Sequence, residues 1–197
     1  MVKKVFGKKI LSCRRKPVSI FIVFLIVLFC SAKFVDARYL ISADKALKKI
    51  FKEADSFDLK EIILSEDQIV DIEQKARVIF KDTHLKNIHF YIAKSSGQNI
   101  GLVFEDTVMG KWGPIHYLVG VNLRGSVVQI IILDYDEIRG KPIAKRRFLK
   151  QYKNKSSQDP VKLRQDIDGV SGATISSRSL TNGIRKLLFV FAEIDLL

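Results

Sequence analysis

Residues 115–133 read IHYLVGVNLRGSVVQIIIL, and this stretch decides the fold. Two runs rich in Val, Ile and Leu flank Asn122-Leu123-Arg124-Gly125, a group of turn-forming residues. Strand formers on either side of a short polar turn make a hairpin. Upstream, 88–94 and 100–106 repeat the pattern around Gly97-Gln98-Asn99. A parallel return would need a crossover of about a dozen residues or more, so strands joined this closely pair antiparallel. The sequence predicts an antiparallel meander of four strands: 88–94, 100–106, 115–121 and 126–133.

Helical spacing surrounds the meander. In 42–54, Ser42 is an N-cap candidate, and Ala46, Leu47, Ile50, Phe51 and Ala54 recur on one face. The stretch 65–80 opens SEDQ, with Ser65 and Gln68 at the two positions of a capping box, and Ile69, Ile72, Ala76 and Ile79 follow. Residues 142–152 predict a basic helix with Pro142 in its first turn, and 153–159 are polar. Residues 176–191 predict a last helix with Leu180, Ile184, Leu187, Leu188 and Phe191 on one face, weakened in the middle by Gly183. The expected fold class is α+β: an N-terminal membrane segment, then one domain with an antiparallel sheet and flanking helices.

The chain has 197 residues and a formal net charge of +13, from 34 Lys plus Arg against 21 Asp plus Glu. A hydrophobic content of 47% excludes a wholly disordered chain. The charge invites nucleic acid or a membrane surface, and its position favours the membrane. Residues 1–16 hold seven bases and no acid, and 17–32, PVSIFIVFLIVLFCSA, hold no charge. A basic arm before an apolar run keeps the arm in the cytoplasm and sends the remainder out. The run is short beside the roughly 17–25 residues of a full span, but flanking Lys16 and Lys33 can snorkel. The expected organisation is a cytoplasmic arm 1–16, a transmembrane anchor or signal sequence 17–34, and an extracytoplasmic domain 38–197 on a single-pass inner-membrane protein. The alternative is secretion to the periplasm after cleavage behind Ala32 or Ala37. Residues 38–197 carry 26 basic and 20 acidic residues, a net of +6. Cys13 and Cys30 both precede this domain, which excludes from it a disulfide, a thiolate metal site and an iron–sulfur cluster.

Just before the last predicted helix stands Asp168-Gly169-Val170-Ser171-Gly172-Ala173-Thr174, followed by Ile175, Ser176 and Ser177. Glycines allow a ligand to approach the backbone, and a helix start offers free N–H groups and a positive dipole end to a phosphate. Ser171, Thr174, Ser176 and Ser177 add hydroxyls. On composition alone, the stretch is equally an ordinary capped helix start after a glycine turn.

The string DGVSGAT resembles the flavinylation motif of the covalent FMN-binding domain family, Asp-Gly-any-Ser/Thr-Gly-Ala-Thr/Ser. That family includes the G component of the Rnf electron-transport complex and the C component of the sodium-translocating NADH:quinone reductase. The likeness extends to Gly110-Lys111-Trp112-Gly113-Pro114-Ile115 with the hairpin behind it, and to 168–186. Asp136-Glu137-Ile138-Arg139-Gly140 stands where those two components carry Glu-Thr-Pro-Gly, and with FLKQYKNKS at 148–156 it is more similar to the small stand-alone members. The resemblance implies FMN esterified through its phosphate to Thr174 by a separate flavin transferase using FAD and Mg²⁺. It implies a cofactor site of Asp168, Gly169, Ser171, Gly172, Ala173, Ser176 and Ser177, with Trp112, Tyr117, Glu137 or Arg139 near the ring. It implies an electron carrier served by a membrane electron-transfer partner and membrane lipid, without catalytic residues of its own. A redox-sensing or docking module is the alternative, and a self-contained flavin reductase a third reading.

His84, His89 and His116 are too scattered for a metal set, and neither HxxxH nor HExxH occurs. No nucleotide-binding glycine loop or Ser-His-Asp arrangement is visible. Nucleic acid has only charge in its favour. Lys145, Arg146, Arg147 and Lys150 form a basic face whose plainest reading is solvation.

Overall fold

The computed structural model describes residues 40–79, 87–135 and 141–194, which all fall in one compact unit, 37–197. The expected arm, anchor and turn at 136–140 lie outside them. Among the described residues no helix is long and apolar enough to cross a membrane.

The elements run α1 Ala43–Ile50, β1 Ser56–Ile63, α2 Glu66–Ala76, β2 Asn87–Ser95, β3 Gln98–Met109, β4 Pro114–Asn122 and β5 Val127–Tyr135. A 3-10 turn Lys141–Ala144, the short helix α3 Arg146–Leu149, a second 3-10 turn Lys150–Tyr152 and the long helix α4 Thr174–Ala192 follow. The five strands form one antiparallel sheet in chain order, β1-β2-β3-β4-β5. The expected meander is therefore present and gains β1, an edge strand. Its burial does not alternate, and its middle residues Leu59, Lys60 and Glu61 are all exposed, so the two-residue apolar period that marks a half-buried strand is missing. The predicted basic helix at 142–152 is interrupted at Lys145, where the backbone turns extended (φ −69°, ψ 138°), and after it α3 tightens into a 3-10 turn with no break in the helical backbone.

Short-range rules fix the ends of the elements. Ser65 and Gln68 make the complete capping box of α2: the Ser65 hydroxyl accepts from the Gln68 N–H, and the Gln68 side chain accepts from the Ser65 N–H. Arg77 ends that helix in the left-handed region. The β4–β5 turn closes on Asn122, whose side-chain oxygen accepts from the N–H groups of Arg124 and Ser126.

Two apolar cores sandwich the sheet. On one face α1 lays Leu47, Ile50 and Phe51 against Ala93, Val103, Leu118 and Leu133. It sits close because Gly101 and Gly120 have no side chains: a Cβ there would lie 2.3 Å from the Phe51 ring and 2.1 Å from Ile50. On the other face α2 and α4 cover Phe90, Phe104, Ile115, Tyr117, Val119 and Val121. Among the described residues, every fully buried side-chain nitrogen and oxygen has a hydrogen-bond partner, as a settled core requires.

The contact of α4 with β3 and β4 is partly polar. Asp106 accepts from the Tyr117 hydroxyl at 2.6 Å and from Lys186 at 2.7 Å, and the Lys186 side chain is 5% exposed. Burial, with the Asp106 charge behind it, holds the Tyr117 hydroxyl protonated well above the usual tyrosine range. Gly183 makes room for that hydroxyl, since a Cβ there would lie 2.3 Å from it and 2.7 Å from Val108. Alanine is the better helix former by about 1 kcal/mol, yet Gly183→Ala should destabilise the domain by about 1–3 kcal/mol through overpacking. Adding Tyr117→Phe, which removes the clashing oxygen, should recover part of that loss. Urea denaturation of the two variants checks both expectations.

Candidate functional site

The site is assembled at the start of α4. Thr174 is its first residue, two positions earlier than the apolar spacing predicts, and its side chain is exposed. Ala173 occupies the N-cap position, so no side chain caps the helix, and the first turn holds no acid. A 19-residue helix thus begins with its positive end undecorated, the condition that suits a phosphate. Before it, Gly172 takes φ +79°, and a Cβ there would meet nothing within 4 Å. The positive φ favours glycine, and the open surroundings leave space beside Thr174.

The approach to the helix is held at both ends by side chains. Gln151 grips the backbone of Asp168: its oxygen accepts from the Asp168 N–H at 2.8 Å, and its nitrogen donates to the Asp168 carbonyl at 3.2 Å. The Val170 N–H donates to the Ser177 hydroxyl at 3.2 Å, and the Ala173 N–H donates to the Val170 carbonyl at 3.0 Å. The Asp168 carboxylate is left exposed, with no ion pair among the described residues. Upstream, Asp166 accepts from the N–H groups of Val161 and Lys162 and pairs with Lys155 at 2.9 Å. Burial would raise the Asp166 carboxyl, but these partners together hold it below the usual range.

The second sequence feature arrives here through one bond. The β3–β4 turn closes with the Gly110 N–H on the Gly113 carbonyl at 2.8 Å, and the Lys111 N–H donates to the Ser176 hydroxyl at 3.2 Å. Residues 65 positions apart are joined, and Trp112 is brought beside the first turn of α4. Trp112 is 61% exposed, with the Lys111 ammonium 4.8 Å from its ring centroid. Ile175, next to Thr174, is 54% exposed. Both leave apolar surface exposed to solvent.

The nominated residues thus divide. Asp168, Gly169, Ser171, Gly172 and Thr174 are exposed, and so is Trp112, in the turn that bonds to Ser176. Ala173 is buried at the N-cap. Ser176 and Ser177 are fully buried, and their hydroxyls hold the Lys111 turn and the Val170 loop instead of facing a ligand. Tyr117 is a core residue tied to Asp106. Glu137 and Arg139 lie outside the described residues. Sequence reasoning missed Gln151, whose grip spans 17 positions with no periodic signal, and Ile175, which breaks the apolar face of α4 by pointing outward.

A cleft of about 700 Å³ runs beside α4, between Arg178, Asn182 and Lys186 and the end of β3. His116 and Glu105 line it, 2.8 Å apart. Their hydrogen bond raises the His116 pKa against the effect of burial, and lowers that of Glu105. Among the described residues no three His, Cys, Asp or Glu side chains gather to hold a metal ion.

Two measurements check this geometry. Ser176→Ala removes the acceptor for the Lys111 amide, so exchange of that amide should quicken and Trp112 emission should shift, at a stability cost of about 1 kcal/mol. The His116–Glu105 pair gives a pH signature. His116 contributes fully below its ordinary pKa of 6.5 and loses that contribution as pH rises through its raised folded value. Glu105 contributes above its ordinary 4.5 and loses that contribution as pH falls through its lowered folded value. The pair therefore stabilises most between pH 4.5 and 6.5, by about 1 kcal/mol or less because both groups are partly solvated. His116→Gln should flatten the stability profile measured by denaturant titration across that range.

Residues 110–188 match the family described as the FMN-binding domain. The G component of the Na⁺-translocating ferredoxin:NAD⁺ oxidoreductase complex of Acetobacterium woodii is 23% identical over 135 residues, 64% of this chain and 65% of that relative. The chain therefore spans a little under two thirds of the length of this curated relative. The C component of the Na⁺-translocating NADH-quinone reductase of Parabacteroides distasonis, a crystal structure, aligns with a TM-score of 0.45 and 18% identity over 75% of this chain and 84% of that one. The matched family segment begins at Gly110, in the turn that carries Trp112, and ends within α4, taking in the Lys111–Ser176 junction and Thr174. The likeness to the FMN-binding domain thus lies over residues 110–188, less than half of the chain.

Proposed function

We propose that this chain is a membrane-anchored flavoprotein that holds FMN through a phosphoester on Thr174. It carries electrons between a membrane redox complex and an extracytoplasmic acceptor. One observation carries the reading: DGVSGAT ends on an exposed threonine that is the first residue of a long helix with no side-chain cap. The anchor and the outward location rest on the basic arm and apolar run of 1–34. Similarity to a component of a Na⁺-translocating oxidoreductase complex supports a partner of that kind.

Each residue then has a physical task. Thr174 would supply the ester oxygen: its hydroxyl oxygen would bond to the FMN phosphorus of FAD as the pyrophosphate bond breaks, with AMP leaving and the hydroxyl proton passing to a base or to water. A hydroxyl is a weak nucleophile, and the exposed Asp168 carboxylate orients it or is read by the flavin transferase. Gly172 keeps the approach clear. The first N–H groups of α4, which no side chain caps, would meet the phosphodiester charge. Trp112 and Ile175 offer apolar surface to the flavin ring, and the Lys111–Ser176 bond fixes where that surface stands. FMN supplies one- and two-electron redox chemistry when bound, and the protein sets access and environment. A covalent link suits a domain outside the cytoplasm, where a dissociated flavin would be lost.

Co-expression with a flavin transferase should yield a chain that stays yellow after denaturation, with an adduct of FMN mass on the peptide containing Thr174. Thr174→Ala should abolish the adduct. Label retained in that variant would move the ester to Ser171, because Ser176 is buried. A colourless precipitate with free flavin in the supernatant would refute covalent attachment.

A further inference from the structure

The positive charge of the domain is gathered on one face. Two adjoining grooves share Leu40, Ile41 and Lys49. Lys45, Lys48, Lys49 and Lys52 border them from α1 and the residues after it, and Arg146, Lys150 and Lys153 from the region of α3. All seven are exposed. The one acidic lining residue is Asp44. Seven bases against one acid leave an excess of six, equal to the net charge of all of 38–197. The remainder of the domain is therefore neutral in sum. The floor between the cations is apolar, made by Val128, Ile130 and Ile132 of the edge strand β5 with Leu149. None of the ion pairs among the described residues uses these cations, and of the seven only Lys48 donates to a neighbouring carbonyl.

This face begins where the chain enters the domain. Leu40 is 51% exposed and lines both grooves. It lies eight positions beyond Ala32, the last residue of the uncharged run, a reach of at most about 29 Å. A tether that short keeps the local concentration of bilayer high. Clustered cations are attracted to an anionic bilayer within a Debye length, about 8 Å at physiological salt.

We infer that this face docks on a phospholipid surface carrying anionic headgroups, with phosphates against the lysines and arginine and the apolar floor toward the lipid. The inference rests on the reading of 17–34 as a membrane segment. It does not depend on flavin attachment.

The test uses the full chain, in bilayers of phosphatidylcholine alone or mixed with phosphatidylglycerol, with amine acetylation read lysine by lysine. Lys49, Lys52, Lys150 and Lys153 should lose reactivity on the anionic bilayer by about fivefold, the change that one cation near such a surface produces. High salt should restore it. Lys60, exposed on β1 at the opposite edge of the sheet, should not change. The double variant Lys150→Gln, Lys153→Gln should weaken the protection of Lys49. Equal reactivity in the two lipids overturns the inference and leaves the grooves to an acidic protein partner. Protection that extends equally to Lys60 also overturns it. A chain that washes off phosphatidylcholine bilayers refutes the anchor, while the lysine contrast on the anionic ones still decides docking.

Discussion

One carboxylate oxygen sets the position of α4, and the candidate site depends on where α4 lies. Asp106 Oδ2 accepts from Tyr117 on β4 and from Lys186 on α4, so two strands and the helix meet at a single acceptor. Taking these charges from water offsets much of what the pair gains, and its importance lies in register more than in stability. An ammonium that must reach one carboxylate, beside a glycine that must sit under one hydroxyl, admits a single register of the helix on the sheet. Lys186 lies 12 residues from Thr174, about 18 Å along the helix axis. A slip of one turn would move Thr174 by about 5.4 Å and would separate Ser176 from the Lys111 turn.

That position matters because the helix start is left unfinished. A side-chain cap contributes about 1 kcal/mol, and α2 has one, complete with its reciprocal bond. Helix α4 is longer and has none. The chain secures this end by other means: Gln151 holds Asp168, Ser177 holds Val170, and Ser176 holds Lys111. Buried hydroxyls behind the first turn do the structural work that an N-cap would do in front of it, so the outward side stays open. A local rule broken this way, with compensation around it, is what functional sites show.

The same contrast explains how much was legible in the sequence. The meander was, because each strand pair is closed by its own turn, and the capping box was, because its partners are three residues apart. The motif DGVSGAT pointed to Thr174, and the structure makes it the exposed first residue of α4. Strand β1 was hidden, since Lys60 and Glu61 lie consecutively on an exposed edge and leave no period. The burial of Ser176 and Ser177 was not legible, because a serine in a helix start reads as a ligand hydroxyl or a cap until its surroundings are known. Gln151 had no signal: its bonds to Asp168 connect loops, and loops carry no period. Tyr117 looked available for stacking because alternation alone does not tell which face of β4 meets α4.

The entry of the chain brings the two surfaces to one end of the sheet. The Leu40 N–H donates to the Leu133 carbonyl, which adds the incoming chain to the open side of β5. Leu133 lies beside Asp134, the partner of His116, near the start of β4. The Gly110–Gly113 turn with Trp112 is about three strand residues away, roughly 10 Å along the strand. The tether therefore enters at the end of the sheet that carries Trp112 and, through Ser176, Thr174. Under the proposed function this would be a physical constraint: an anchor ending at residue 34 would limit how far the end carrying Thr174 could stand from the bilayer. The basic grooves extend from the same point along β5 and α1, so docking there would restrict rotation about the tether, which the covalent chain alone leaves free.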